Sequence, residues 1–205
     1  MESGARIVHI VDDDSVLSDA LCFLFRSRGV DAIPYLSAES FLSLSGQMKP
    51  GCILLDVRMS GMSGPELFER LRAQNCQLPV IFLTGHGDVP MAVNALKNGA
   101  FDFVEKPFND NALVDRVLDA LNQFERATHE RATRERIDAR LATLSEREQE
   151  IMQALLEGRM NKVIADDLGI AMRTVEVHRA RIFEKMGVRS AVELANLIAL
   201  RRHTA

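Results

Sequence analysis

The sequence predicts an α/β doubly wound five-stranded parallel sheet, joined by a helical linker to an all-α four-helix helix-turn-helix domain. Three observations carry this. Short apolar runs alternate five times with helix-period stretches over roughly the first 120 residues. The runs are continuously apolar, the pattern of parallel strands covered by helices on both faces. After Leu144 the pattern is purely helical, and Gly158, Gly169 and Gly187 punctuate it.

The first strand is Ile7–Val11 and the first helix Ser15–Arg28, closed by Gly29, where a helix end wants a left-handed residue. A weaker run at Asp31–Tyr35 and a helix at Ala38–Leu44 follow. The third strand is Cys52–Val57 with a helix at Pro65–Ala73. The fourth is Val80–Thr84 with a helix at Val89–Lys97, closed by Gly99. The fifth is Phe101–Glu105, before a helix at Asn111–Asn122. Phe124 to Thr143 is charged and free of Gly and Pro, and reads as a connector continuing that helix. Arg131 and Glu135 interrupt its apolar spacing, so it is a stiff linker and not a coiled coil. Ser145 and Glu148 have capping-box spacing and open a helix to Leu156. Asn161–Leu168 and Met172–Met186 form the helix-turn-helix, and Ser190 opens the last helix. The expected domains are 1–123, a linker over 124–142, and 143–205.

Composition removes several function classes. Hydrophobic residues make up 47% and charged residues 26%, as in folded soluble proteins. No apolar run approaches the ~20 residues of a membrane span, and Met1 to Arg6 opens no signal peptide. Cys22, Cys52 and Cys76 form neither a disulfide framework nor a zinc pattern, which points to a reducing compartment. With one Tyr and no Trp, stacking on single strands is disfavoured. Residues 1–124 carry a net charge of −6 and the remainder +2. Two kinds of partner fit this asymmetry, and so do two merely solvated surfaces.

In a doubly wound sheet, ligands sit beyond the carboxyl ends of the strands. There the sequence places Asp12, Asp13 and Asp14, then Asp56, Thr84 and Lys106. Crowded carboxylates need a cation or must protonate, and oxygen-only ligands favour Mg²⁺. In-line attack by Asp56, with Thr84 and Lys106 stabilising charge, is phosphoryl-transfer chemistry. Asp12–Asp14 in isolation would read as a helix N-cap. No glycine-rich fingerprint follows the first strand, which excludes dinucleotide binding. In the back domain, Arg173, Arg179, Arg181, Lys185 and Arg189 outnumber Glu176 and Glu184 on and around one helix. Val175, Ile182 and Met186 face the core by spacing. His178 lies on the same side and reads as structural, while Glu176, Val177 and Ala180 face outward.

The stretches Val11-Asp12-Asp13-Asp14, Asp56-Val57-Arg58-Met59, Thr84-Gly85-His86-Gly87-Asp88 and Glu105-Lys106-Pro107-Phe108 resemble the flavodoxin-like receiver domain of two-component response regulators, closest to the FixJ type. The resemblance implies that a sensor histidine kinase phosphorylates Asp56. It implies that Asp12, Asp13, Asp56 and the Arg58 carbonyl hold Mg²⁺, and that Thr84 and Lys106 contact the phosphoryl oxygens. Thr84 and Phe103 take the switch positions, and Lys106-Pro107 is cis. Ser60 stands where that family usually has proline, which bears on the stiffness of the loop after Asp56. His86 reads as a tuning or surface residue.

Leu144-Ser145, Arg147-Glu148, Asn161-Lys162, Ile164-Ala165, Thr174-Val175, Val177-His178 and Lys185-Met186 resemble the LuxR-type DNA-binding domain, as in FixJ/NarL regulators. That implies DNA binding through Met172–Met186, with Arg173, Thr174, Glu176, Val177, Arg179, Ala180, Arg181 and Lys185 as contact residues and Asn161 and Lys162 on phosphate. Ala171 replaces the family's frequent Ser, a cap whose loss costs about 0.5–2 kcal/mol.

The combined reading is a cytoplasmic transcription factor, without membrane contact, that dimerises on phosphorylation and binds double-stranded promoter DNA. RNA polymerase is a candidate partner. The protein is a phosphoacceptor taking part in its own Mg²⁺-dependent transfer and autodephosphorylation, not an enzyme on external substrates. Two alternatives stand beside it: an Mg²⁺-dependent phosphohydrolase, and a DNA-binding protein whose receiver-like half only dimerises.

Overall fold

The structure is a computed structural model that describes residues 6–44, 48–85 and 89–203, without the side chains of Val89, Pro90, Ala92, Arg202 and His203. Five strands pair in parallel: β1 (Ile7–Val11), β2 (Asp31–Tyr35), β3 (Cys52–Asp56), β4 (Val80–Thr84) and β5 (Asp102–Glu105). Their order is β2-β1-β3-β4-β5. Every residue of β1, β3 and β4 is buried, which is why those runs are continuously apolar. The edge strands β2 and β5 are buried at only some positions. This accounts for the weak run at Asp31–Tyr35 and for Pro34 within it, since an edge strand tolerates a missing N–H.

Successive strand residues point to opposite faces, and each face carries its own helices. Val8, Ile10, Leu54, Ile81 and Leu83 pack with Leu21, Cys22 and Phe25 of α1 (Ser15–Ser27) and with Leu113, Val114 and Val117 of α5 (Asp110–Leu141). Val11, Ile53, Leu55 and Phe82 pack with Phe41 of α2 (Ala38–Ser43), Leu67 and Leu71 of α3 (Gly64–Ala73), and Ala95 of α4 (Val89–Lys97). His9, in the middle of β1, is buried on this second face. Its Nε2–H donates to the Lys49 carbonyl at 3.0 Å, and its Nδ1 accepts from the Tyr35 hydroxyl at 3.1 Å. Burial lowers the His9 pKa below its ordinary value, against the raising effect of the Lys49 bond.

The chain divides into two compact units between Arg126 and Ala127, within α5. The second unit contains α6 (Glu146–Leu156), α7 (Asn161–Leu168), α8 (Met172–Met186) and α9 (Ala191–His203). Ile151, Ile164, Val175, Ile182, Met186 and Leu194 form its core. The end of α5 belongs to that core as well. Ile137 is 1% exposed there, Leu141 packs against it, and Arg140 donates to the Met186 carbonyl at 2.7 Å. The last turns of the expected connector are therefore packed structure, because Ile137 and Leu141 recur at i, i+4 on one helix face. Among the described residues, no helix is long and apolar enough to cross a membrane.

Candidate functional site: a phosphoryl pocket and a DNA-facing helix

Parallel strands all end on one side of the sheet, so β1, β3, β4 and β5 deliver their C-terminal residues to one place. Asp12 follows β1 and is 1% exposed, and Asp56 ends β3 at 7%. The Lys106 ammonium joins them, donating to Asp12 Oδ2 at 2.9 Å and to Asp56 Oδ1 at 2.6 Å. Lys106 also donates its backbone N–H to the carbonyl of buried Thr84 at 2.7 Å, and the Lys106-Pro107 bond is cis. The second Asp56 oxygen accepts the Arg58 N–H at 2.9 Å. Asp14 stands apart as the α1 N-cap, accepting from the N–H groups of Val16 and Leu17.

Asp13 is exposed and is held by the loop after β3. Its Oδ2 accepts from both the Ser60 N–H and the Ser60 hydroxyl, each at 2.7 Å. The hydroxyl bond is the main reason the Asp13 carboxyl lies below its ordinary pKa. Burial pushes Asp56 above its ordinary value, although Lys106 acts in the other direction. Burial acts to lower the Lys106 pKa, and the bonds and charges of Asp56 and Asp12 outweigh it, leaving the ammonium raised.

Ligand oxygens of Asp12, Asp13 and Asp56 lie within 4.8 Å of one another. Three carboxylates against one ammonium leave two negative charges, and the donors are all oxygen. That set suits a hard divalent cation. Phe103 is half-buried on β5, opposite Phe82 of β4, packed against the core on that face. His86 lies outside the described residues.

Sequence reasoning missed two contributors. The Ser60–Asp13 bonds join residues far apart in the chain. Gly64 passes so close to β3 that a Cβ there would lie 2.2 Å from the Asp56 carbonyl oxygen. The adjoining signal, Ser63 and Glu66 in a capping box with Pro65 at the helix start, marks the turn but not the contact.

In the second unit, α7 ends at Gly169, whose φ of 62° makes the left-handed turn into α8. Val175, Ile182 and Met186 are buried, as their spacing predicts. Arg173, Thr174, Val177, Ala180 and Arg181 are exposed, as is Lys162 on α7, and Glu176 is half-exposed. Arg179 donates to Asn161 Oδ1 at 3.2 Å and lies 5.2 Å from the Phe183 ring centroid. Lys185 is exposed, but its ammonium is engaged within the unit. Its ammonium donates to buried Glu148 at 2.6 Å and to the Thr143 carbonyl at 2.9 Å. The Lys185 bond is the leading reason the Glu148 carboxyl lies below its ordinary pKa. His178 points its buried Nδ1 to a place without a hydrogen-bond partner among the described residues.

Comparison with known proteins matches both halves. Residues 8–118 match the response regulator receiver domain, and residues 142–198 match the bacterial regulatory proteins of the luxR family. The chain belongs to the response-regulator family. Among curated relatives, this response regulator is 54% identical over 192 residues to the C4-dicarboxylate transport transcriptional regulatory protein DctR of Rhodobacter capsulatus, covering 93% of this chain and 98% of that one. It is 43% identical over 193 residues to the transcriptional regulatory protein FixJ of Azorhizobium caulinodans, covering 94% and 92%. Among solved structures it is similar to the response regulator StyR, with a TM-score of 0.86 and 40% identity over 95% of this chain and 98% of that one. Full-length FixJ from B. japonicum gives 0.64 and 40% over 98% and 99%.

A response regulator with a LuxR-type domain regulates transcription through DNA, and its receiver has a histidine kinase as partner. The phosphohydrolase alternative gives way to this, since the output half is a DNA-binding domain. Receiver domains bind Mg²⁺ at an acidic pocket, and the Asp12, Asp13 and Asp56 cluster is one.

Proposed function

We propose that Asp56 is the phosphoacceptor of a cytoplasmic response regulator whose phosphorylation drives dimerisation on promoter DNA. The observation that carries this is the Lys106 ammonium bonded to both Asp12 and Asp56. It fixes the Asp56 carboxylate and leaves a cation beside the place where phosphoryl oxygens arrive. A carboxylate oxygen of Asp56 attacks phosphorus in line, the bond to the kinase histidine breaks, and an acyl phosphate results. Asp12, Asp13, Asp56 and the Arg58 carbonyl hold Mg²⁺, which when bound neutralises charge on the transferring group. Thr84 and Lys106 contact the phosphoryl oxygens. Hydrolysis of the acyl phosphate in the same pocket gives autodephosphorylation.

Thr84 and Phe103 form the switch. Thr84 moves toward the new acceptor oxygens, and half-buried Phe103 turns into the space it leaves. The surface of α4, β5 and α5 changes and pairs two copies, setting two α8 helices at half-sites about 10–10.5 bp apart. Arg173, Thr174, Glu176, Val177, Ala180 and Arg181 face DNA, with Asn161, Lys162 and Arg179 at its phosphates. Lys185 joins them only by leaving Glu148. RNA polymerase is the partner downstream. The receiver function is assigned to 1–123 and DNA binding to 143–205, with 124–142 joining them and its last turns packed on the second core.

Intact mass and light scattering with Mg²⁺ and a small-molecule phosphodonor test the site and the switch together. Wild type gains one phosphoryl group and dimerises, whereas Asp56→Asn does neither. Phosphoryl uptake by Asp56→Asn equal to wild type would overturn the assignment.

A further inference from the structure

We propose that Glu176 reads a C·G base pair in the operator half-site by accepting a hydrogen bond from cytosine N4. This rests on the reading of α8 as the helix that enters the major groove. At 100° per residue, Arg173, Val177, Ala180 and Glu184 lie opposite the buried stripe of Val175, Ile182 and Met186. Glu176 flanks that exposed face on one side and Arg181 on the other. Recognition helices read bases chiefly with their N-terminal half, whose exposed or half-exposed residues here include Arg173, Thr174, Glu176, Val177 and Ala180. Val177 and Ala180 form no side-chain hydrogen bonds, so polar readout falls to Arg173, Thr174 and Glu176, of which Glu176 is the carboxylate.

A carboxylate is a poor visitor to a groove walled by phosphates, and a donor on a base edge stabilises it there. The major groove offers two, cytosine N4 and adenine N6. Adenine N6 has acceptors on both sides, N7 of the same base and O4 of its thymine, and both repel a carboxylate. Cytosine N4 has an acceptor on one side only, guanine O6, and the apolar C5 edge on the other. The carboxylate therefore selects C over A. In the free protein its Oε2 accepts from Arg173 at 3.1 Å, across an ion pair whose arginine side chain is 86% exposed. Such a surface pair exchanges readily, and on DNA it divides. Arg173 swings to a phosphate or a guanine, and Glu176 turns to the base edge.

The test is selection from a randomised duplex pool by full-length protein treated with Mg²⁺ and an acyl-phosphate donor, followed by anisotropy titrations of the selected duplex and its single-base variants. Wild type selects C·G at one position of each half-site by about tenfold over the other pairs. Glu176→Ala loses that preference at that position alone and binds unrelated duplex as well as or better than wild type, because repulsion from phosphate is gone. Glu176→Gln has nearly the same shape and folds as wild type, but carries a donor beside its acceptor, so its preference at that position moves toward A·T. Two results overturn the proposal while leaving the groove-helix reading intact: the wild-type motif unchanged in Glu176→Ala, or the same positional change from Glu176→Ala and Arg173→Ala, which would make Glu176 only a holder of Arg173. Failure of wild type to select any motif overturns the groove-helix reading and the proposal with it.

Discussion

At the phosphoryl pocket, each carboxylate has a different source of order. Asp12 and Asp56 share one lysine, whereas Asp13 is bonded from the loop that follows β3. Proline at position 60, the usual residue in the resembling family, has neither an N–H nor a hydroxyl and makes neither bond. Ser60 thus replaces a stiff ring with a tie to a metal-ligand candidate, which answers the question its presence raises about the loop. Asp13→Ala speeds hydrogen exchange of the Ser60 amide, with β3 amides such as Leu54 unchanged. Equal Ser60 exchange in both proteins would remove the tie. Lys185 is the opposite case: an exposed basic residue on the recognition helix whose ammonium is taken up by Glu148 and the Thr143 carbonyl. Counting charges along the sequence could not separate it from Arg181.

Helix starts show a contrast at the scale of elements. Side chains cap α1 (Asp14), α2 (Ser37), α3 (Ser63) and α6 (Ser145), and Ser190 accepts from the Glu193 N–H at 3.1 Å at the start of α9. The two helices of the helix-turn-helix, α7 after Met160 and α8 after Ala171, have no side-chain cap. Their first-turn N–H groups suit a DNA phosphate in the proposed complex. The loss read from Ala171 in the sequence is therefore a structural fact. Ala171→Ser raises stability by about 0.5–2 kcal/mol, seen as a higher urea midpoint for the second unit. No change would mean that water already satisfies those groups equally well. Other element limits differ from the sequence reading by a residue or two, as frayed ends do. The larger difference is the C-terminal part of α5, where Ile137 and Leu141 enter the second core instead of lining a free connector.

Over the whole molecule, the division into two units with separate cores predicts separate responses to acid. His9 is neutral and bonded within the first unit, with its pKa below the ordinary value. Below the unfolded histidine pKa of about 6.5, the unfolded chain takes up a proton that the folded unit does not. Stability from His9 is therefore intact above that value and is lost as pH falls toward its lowered folded pKa. Calorimetry from about pH 7.5 to 5.5 will lower the first transition, and His9→Gln will flatten that decline. Parallel pH curves for the two proteins would assign the acid sensitivity elsewhere.

By itself the sequence determined the element order, the weaker second strand, the helix-turn-helix and the family. These depend on local periodicity, turn residues and motifs, which act over a few neighbouring positions. The receiver residues Asp12, Asp13, Asp56, Thr84 and Lys106 were legible for the same reason, since each sits at a strand end that parallel topology brings together. Tertiary structure alone decided which partner each side chain takes. It set Lys106 between Asp12 and Asp56, tied Ser60 to Asp13, gave Lys185 to Glu148 and packed Ile137 with the second core. Such pairings depend on distances set by folding between residues remote in the chain, and no local pattern encodes them.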